Sequence, residues 1–139
     1  MAVVAQLVAL TDVRDVVAAT LDPVDAGDPD VLVDVVDSLY PPVLMILPAQ
    51  PYVTPAIAGG TRVMGPCTLT AHVRVRCVAS RVDPAPGFRK LDELVAHVVR
   101  RMREQTAWTL GVASGALAVE MARITYLASD VTYDIPVTV

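Results

Sequence analysis

The chain has 139 residues, of which 54% are hydrophobic and only 4% are aromatic. This length fits one domain, and the composition predicts a core built mainly from Val, Ala and Leu. The formal net charge is −4, and the basic segment lacks interleaved aromatic residues, so both features disfavour sequence-specific nucleic-acid binding. The surplus of apolar residues is more easily explained by partner subunits than by a monomer.

Charge is divided along the chain. Residues 1–40 contain eight Asp and one Arg, whereas residues 62–103 contain eight Arg and one Lys against three acidic residues, so the two segments carry net charges of −7 and +6. Such segments either attract each other between neighbouring copies in a ring or stack, or form two ordinary solvated faces.

The first third of the chain predicts a helix and an acidic loop. Apolar residues recur at three- and four-residue spacing from Leu7 to Leu21, which predicts a helix over residues 1–21. Residues 22–30 combine Pro, Gly and four Asp, which predicts an exposed loop. Residues 31–36 fit either a short strand or a helical turn. No Lys or Arg precedes the apolar N-terminal run, so no signal peptide is predicted.

A proline-rich segment follows. Residues 42–47 form a short apolar run closed by Pro48, which predicts a buried strand. Residues 49–66 contain further prolines and Gly59–Gly60, which predict a long extended loop or hairpin arm with a tight turn. The longest uncharged stretch, residues 38–61, is broken by five prolines and is not expected to cross a membrane.

The clearest strand spans residues 67–80, where apolar and polar residues alternate. One face of this strand is predicted to be core, and the other presents His72, Arg74 and Arg76 in a row. These arginines must meet solvent, an acidic partner or a channel, because an unpaired buried charge is costly.

The two cysteines are predicted to be free. Cys67 and Cys77 both fall in this strand, which would separate them by about 33 Å if the strand is continuous. A disulfide needs far closer Cα atoms. Free thiols fit a reducing, intracellular site of synthesis.

The second half of the chain predicts one long helix and several strands. Residues 88–102 carry apolar side chains at helical spacing and predict an amphipathic helix. Residues 107–115 fit a short strand or a loop. Residues 117–127 and 131–139 predict two further strands, and Pro136 places the last one at a sheet edge or against a partner.

These elements predict a single α/β (α+β) domain over residues 1–139. Its β-sheet is expected to be mixed or antiparallel and to be flanked by two main helices. Neither an internal repeat nor a second domain is indicated.

Motifs that would carry chemistry are weak. Ser114 lies in a G-x-x-S-G segment, which lacks the G-x-S-x-G spacing of a nucleophile elbow. His72 and His97 are the only histidines, and neither has metal-site spacing. The acidic loop lacks the calcium-loop register, and no phosphate-binding glycine motif occurs. We therefore predict no enzymatic activity and no catalytic, metal or cofactor-binding residue.

The order of elements resembles that of the tail terminator proteins of long-tailed (siphovirus-type) bacteriophages over nearly the whole chain. The segments that carry this resemblance are PYVTP at residues 51–55, TLTAHVRVRCVAS at 68–80, FRKLDELVAHVVRRM at 88–102 and RITYLASDVTYDIPVTV at 123–139.

The resemblance implies a structural virion protein, made in the bacterial cytoplasm, that forms a homohexameric ring in the phage neck. The ring would contact the tail tube protein on one side and the head-tail connector or stopper protein on the other. No reaction, cofactor or membrane contact is implied. The residues predicted at the subunit interface are His72, Arg74, Arg76, Asp28, Asp30, Asp34 and Tyr52.

Three alternatives remain open. The dense acidic segment at residues 22–37 matches no feature of that family, which leaves open another neck role such as head completion or a stopper. A dimeric α/β ligand-binding module would place a pocket near Trp108. A hydrolase would use Ser114 together with His97.

Overall fold

The computed structural model describes residues 8–25, 27–33, 41–55, 57–58, 61–62, 68–81, 88–121 and 123–138. Within these ranges the chain forms a seven-stranded mixed sheet, a separate two-stranded ribbon and two α-helices. The strands are β1 (Val8–Ala9), β2 (Asp30–Leu32), β3 (Val43–Pro55), β4 (Ile57–Ala58), β5 (Thr61–Arg62), β6 (Thr68–Arg81), β7 (Thr109–Ala113), β8 (Leu117–Met121) and β9 (Ile124–Thr138), and the helices are α1 (Val13–Thr20) and α2 (Phe88–Met102).

The sheet is organised around its two longest strands. β6 and β9 pair antiparallel at its centre, β3 pairs antiparallel with the other side of β6, and β2 pairs parallel with β3. On the far side of β9, three short strands follow one another: β8, then β7, then the parallel strand β1. The sheet order is therefore β2-β3-β6-β9, with β2 as one edge strand and the three short strands β8, β7 and β1 together forming the other edge.

One face of the sheet forms the main core with both helices. Alternation along β6 and β9 directs every second side chain to this face, and the apolar stripe of α2 packs against it. Burying each Val or Leu side chain stabilises the fold by about 1.5–3 kcal/mol. The core includes Val13, Val17, Leu21, Leu44, Ile46, Val73, Val75, Leu94, Val98, Met102, Val131, Ile135 and Val137.

The opposite face of the sheet is apolar only at one end. There a smaller cluster contains Val43, Met45, Val78, Tyr126 and Ala128. The rest of this face carries polar and charged side chains from β6 and β9. The division between the two faces follows from the two-residue period of the strands.

Several sequence predictions are confirmed. The long helix has the predicted bounds, Phe88–Met102, and the clearest predicted strand is observed at Thr68–Arg81. Strands are also present at Asp30–Leu32 and Thr109–Ala113, where the sequence left two alternatives open. The described residues form one small domain with a mixed sheet and two helices, as expected, although strands dominate it.

The prediction of a helix over residues 1–21 is wrong in its extent. The helix begins at Val13, after the strand Val8–Ala9 and a 3₁₀ turn at Leu10–Asp12. Val8 and Ala9 pair with the end of β9, and this long-range pairing overrides the local helical spacing. The first seven residues lie outside the described part of the chain.

The prediction that Pro48 ends a strand is also wrong. β3 continues through Pro48 and Pro51 to Pro55. Its register with β6 shifts between Pro48 and Val53, and such an irregularity accommodates prolines, which cannot donate a ladder hydrogen bond. Of the predicted arm at residues 49–66, the first part is therefore strand, and β4 and β5 pair antiparallel beyond it. The other residues of that arm are not described.

The C-terminal strands differ from the prediction in their bounds and their place. β8 ends at Met121 and β9 runs from Ile124 to Thr138, joined by a two-residue connection in which Arg123 has a φ of 66°. β9 is central and not an edge strand. Pro136 is tolerated because β7 pairs only as far as Asp134 and β1 begins at Val137, so neither short strand stands opposite it.

No helix among the described residues is long and apolar enough to span a membrane.

The core of α2 offers a stability test. Leu94 is 2% exposed, whereas Phe88 on the same helix is 59% exposed. We expect Leu94→Ala to lower the free energy of unfolding by about 2–5 kcal/mol, because it leaves a cavity. Phe88→Ala should change it by about 0.5 kcal/mol or less. Urea denaturation measures both, and equal losses would contradict the described packing.

Candidate functional site

The polar part of the sheet face that lies opposite the helices brings several predicted residues together. Cross-strand register places His72 opposite Asp134, Arg74 opposite Thr132 and Arg76 opposite Asp130. Side chains at such positions are close enough to interact directly. We call this set, together with Thr54 of β3, the polar face: Thr54, His72, Arg74, Arg76, Asp130, Thr132 and Asp134.

Arg76 and Asp130 form a bidentate ion pair. The Arg76 Nε donates to Asp130 Oδ1 at 2.8 Å, and its Nη2 donates to Oδ2 at 3.0 Å. The hydrogen bond to Asp130 raises the pKa of Arg76 above its ordinary value. Both side chains are largely buried, so this pair replaces much of the hydration that each charge loses on folding.

Arg74 is less completely paired. Its Nη1 lies 3.7 Å from Asp130 Oδ2, an oxygen that already accepts from Arg76. The Arg74 Nε is buried and has no hydrogen-bond partner among the described residues. About a third of the side chain, 32%, stays exposed. Arg74 therefore carries a positive charge that Asp130 only partly offsets.

His72 lies between two oxygen atoms. Its Nδ1 is 2.5 Å from Asp134 Oδ1, and its Nε2 is 2.8 Å from Thr54 Oγ1. An ionised carboxylate can only accept a hydrogen bond. The His72 proton therefore belongs on Nδ1 in the neutral ring, which leaves Nε2 to accept the Thr54 hydroxyl proton.

A cavity of about 570 Å³ opens beside these side chains. It lies between β3, the first half of β6, the middle of β9, and β7 with the residue that follows it. Its lining includes Gln50, Thr54, His72, Arg74, Val112 and Ser114.

The other predicted interface residues do not join this group. Asp30 is exposed at the start of β2, and Tyr52 of β3 packs against the main core. Asp28 lies in the acidic loop. Asp34 falls outside the described residues.

The acidic partner of the arginine row differs from the one that charge division suggested. The division of charge predicts that the arginines pair with the acidic first forty residues of a neighbouring copy, but Arg76 pairs with Asp130 of its own chain. One feature of the sequence could have identified these partners: the two-residue alternation places Asp130 and Asp134 on the same face of the last strand. What the sequence does not give is the register between that strand and β6.

A second polar cluster joins the acidic loop to the end of α2. The Arg101 Nη2 donates to the backbone carbonyls of Thr20 and Asp22 at 2.9 and 3.1 Å, and its Nη1 lies 3.9 Å from Asp28 Oδ2. The Asp28 carboxylate accepts hydrogen bonds from the backbone N–H groups of Asp25 and Val24, and these lower its pKa. Part of the attraction between the acidic and basic segments is therefore satisfied within one chain.

The residues proposed for a hydrolase or a ligand pocket do not form those sites. The Ser114 Oγ accepts from the Asp130 backbone N–H at 2.9 Å and donates to the Gly115 carbonyl at 3.0 Å, and it makes no hydrogen bond with His97. Trp108 packs on the main core and lines neither this cavity nor a second one of about 420 Å³ beside α2.

The described residues offer neither a metal centre nor a reactive thiol. In those ranges no three His, Cys, Asp or Glu side chains are grouped as a metal ion would require. Burial, with a smaller contribution from the charge of Asp130, raises the pKa of Cys77 to about 12, so this thiol stays protonated and unreactive. Cys67 lies outside the described ranges.

In comparisons with known proteins, no protein-family model and no curated protein matches the chain.

Removing the carboxylate of Asp130 should destabilise the fold. The side chains of Arg76 and Asp130 are 18% and 11% exposed, so Asp130→Asn leaves a mostly buried cation without its partner. After allowance for this partial exposure, we expect a loss of about 2–3 kcal/mol. Glu93→Gln is the matched control, because it removes only the exposed pair with Lys90 and should cost about 0.5 kcal/mol or less. Chemical denaturation compares the two, and similar losses would show that the Arg76–Asp130 pair contributes little.

His97 should make stability fall in mild acid. Burial lowers its pKa below the ordinary 6.5, and the charge of Asp28 only partly opposes this effect. The unfolded chain therefore binds the proton more readily, so the free energy of unfolding decreases as the pH falls from about 6.5 through the lowered pKa. We expect His97→Gln to flatten this dependence. Urea unfolding at several pH values between about 7.5 and 5 measures it, and identical slopes for the two proteins would contradict the assignment.

Proposed function

We propose that the chain is a structural virion protein whose copies form a ring that caps the tail tube of a long-tailed phage and joins it to the head connector. The phage assignment is supported by the resemblance of element order, above all in β6, α2 and the C-terminal strands. Assembly is supported by an observation of its own, the exposed edge strand β7.

All five residues of β7 are exposed, and none is charged. Leu110 and Val112 are 45% and 67% exposed, and Leu117 at the start of β8 is 37% exposed. Among the described residues, β7 pairs only with β9. Monomeric proteins usually protect such an edge with charges, proline or a covering segment, so an uncharged apolar edge favours contact with another subunit.

The two ends of the sheet differ, as a ring requires. β2 pairs only with β3 within the described ranges and carries Asp30, whereas the other end is the apolar β7 edge. A contact between two different surfaces is head-to-tail, and it generates a closed ring when the rotation between neighbours closes. The proposed seam therefore lies at the sheet edges, and the row of His72, Arg74 and Arg76 is mainly an internal network.

A single charge on β7 should separate assembly from folding. Val112→Asp places an unpaired carboxylate in the proposed apolar contact, so we expect loss of the oligomer while the monomer stays folded. Ala96→Asp is the control, because it puts the same charge on the exposed side of α2. Light scattering coupled to gel filtration gives the mass of each variant, and circular dichroism checks its fold. A wild-type protein that stays monomeric, or a Val112→Asp variant that assembles normally, would contradict the proposal.

The phage role needs a separate measurement. Purified wild-type protein added to uncapped tail tubes should appear as a ring at one tube end in electron micrographs. Rings that form in solution but never bind tube ends would preserve the assembly proposal and exclude tail capping.

A further inference from the structure

The assembly proposal makes no use of the hydrogen-bonded series Asp134–His72–Thr54. We propose that Thr54, His72 and Asp134 form a hydrolytic site for small carboxylic esters, with Thr54 as the nucleophile, His72 as the general base and Asp134 as a positioning residue. The geometry combines a hydroxyl, an imidazole within hydrogen-bond distance of it and a third group that orients the imidazole.

The protons lie in the direction that this chemistry needs. Asp134 accepts from the His72 Nδ1, at 2.5 Å, so the lone pair of the neutral ring is on Nε2. Nε2 lies 2.8 Å from the Thr54 Oγ1. The hydroxyl can therefore transfer its proton to Nε2 without rotation of the ring.

The irregularity in β3 is what brings the hydroxyl to the imidazole. On one side of it Pro48 stands opposite Val73, and on the other side Val53 stands opposite Ala71. Without this shift Thr54 would stand opposite position 67, three residues before Thr70 and about 10 Å away. The observed register places Thr54 opposite Thr70, diagonally adjacent to His72 on the same sheet face. Bulges that redirect a side chain in this way are common next to active sites.

The strands also hold the three groups rigidly. β3, β6 and β9 are hydrogen-bonded neighbours, and Asp134 is the direct cross-strand partner of His72. Sites built on strands hold their geometry better than sites built on loops.

The cavity of about 570 Å³ beside Thr54 and His72 provides room for a small acyl group. Pro51 and Val112 give it apolar walls. Arg74 lines the same cavity, and its charge is only partly offset by Asp130 at 3.7 Å. As part of the proposal, the positive charge of Arg74 favours negative charge on an acyl group bound in this cavity.

The reaction balances without any further reagent. The Thr54 Oγ1 attacks the ester carbonyl carbon while His72 Nε2 takes the hydroxyl proton. The bond from carbon to the alcohol oxygen then breaks, and the alcohol leaves with the proton from His72. Water, deprotonated by His72 Nε2, then attacks the acyl carbon of the acyl-threonine. The bond from this carbon to Thr54 Oγ1 breaks, and His72 returns the proton to Oγ1, so the carboxylic acid leaves and both Thr54 and neutral His72 are restored.

p-Nitrophenyl acetate tests the site in the full chain. We expect turnover by the wild type above the uncatalysed rate, its loss in Thr54→Ala and its retention in Thr54→Ser. Thr70→Val is the matched control, because it removes a neighbouring hydroxyl on the same face that takes no part in the series. Mass spectrometry after acid quenching should find acetyl on the peptide that contains Thr54.

Asp134→Asn tests the positioning role. It should lower the rate about a hundredfold or more and remove the far-downfield proton signal of the hydrogen-bonded His72 Nδ1 from the NMR spectrum. Retention of the full rate would overturn the role of Asp134. A wild-type rate equal to that of Thr54→Ala, or to the uncatalysed rate, would overturn the site. If Thr54→Ala fails to fold, absence of the acetylated Thr54 peptide in the wild type would overturn the site in its place.

Discussion

The antiparallel pairing of β6 with β9 is the constraint on which the rest of the structure depends. It runs from Thr68 opposite Thr138 to Arg81 opposite Tyr126, with one irregularity between Val78 and Ser80. Because side chains alternate along both strands, this single register fills one sheet face with Val, Ile and Tyr for the helices. The same register places the charged residues of the two strands opposite each other on the other face. A slip of one residue would bury the arginines and expose the core, so the apolar face and the ion pairs favour the same pairing.

The charges of β6 show how a polar surface is maintained beside a core. Arg76 and His72 each face an aspartate of β9, and Arg74 shares the first of these two carboxylates. These ion pairs connect the two central strands. Arg74 lines the cavity, and its positive charge is only partly offset by Asp130. The proposed subunit contact and the proposed hydrolytic site lie beside each other, because Val112 of β7 also lines the cavity next to Thr54 and His72. The uncharged β7 edge is the part that we propose for contact with another subunit, whereas the polar face carries the hydroxyl and the imidazole of the proposed hydrolytic site.

Local pattern predicted the elements whose hydrophobic period is clear in the sequence. α2 has a strong amphipathic period, and β6 has an unbroken alternation, so both were found with nearly correct bounds. Elements that depend on distant partners were misjudged. Val8 and Ala9 extend because the end of β9 pairs with them, and β3 continues past two prolines because its register with β6 shifts there. Pro136 suggested an edge, yet it lies in a central strand where two short neighbours leave a gap.

The sequence by itself determined the single domain, the main helix, the principal strand and the face on which His72, Arg74 and Arg76 stand. These features depend on composition and on periods of two and 3.6 residues, which are properties of neighbouring residues. Only the tertiary structure decided that Asp130 and Asp134 face Arg76 and His72, and that Thr54 reaches His72 from a third strand. Such contacts join residues 18 to 62 positions apart, and the strand register that creates them is set by packing of the whole sheet, which no local pattern encodes.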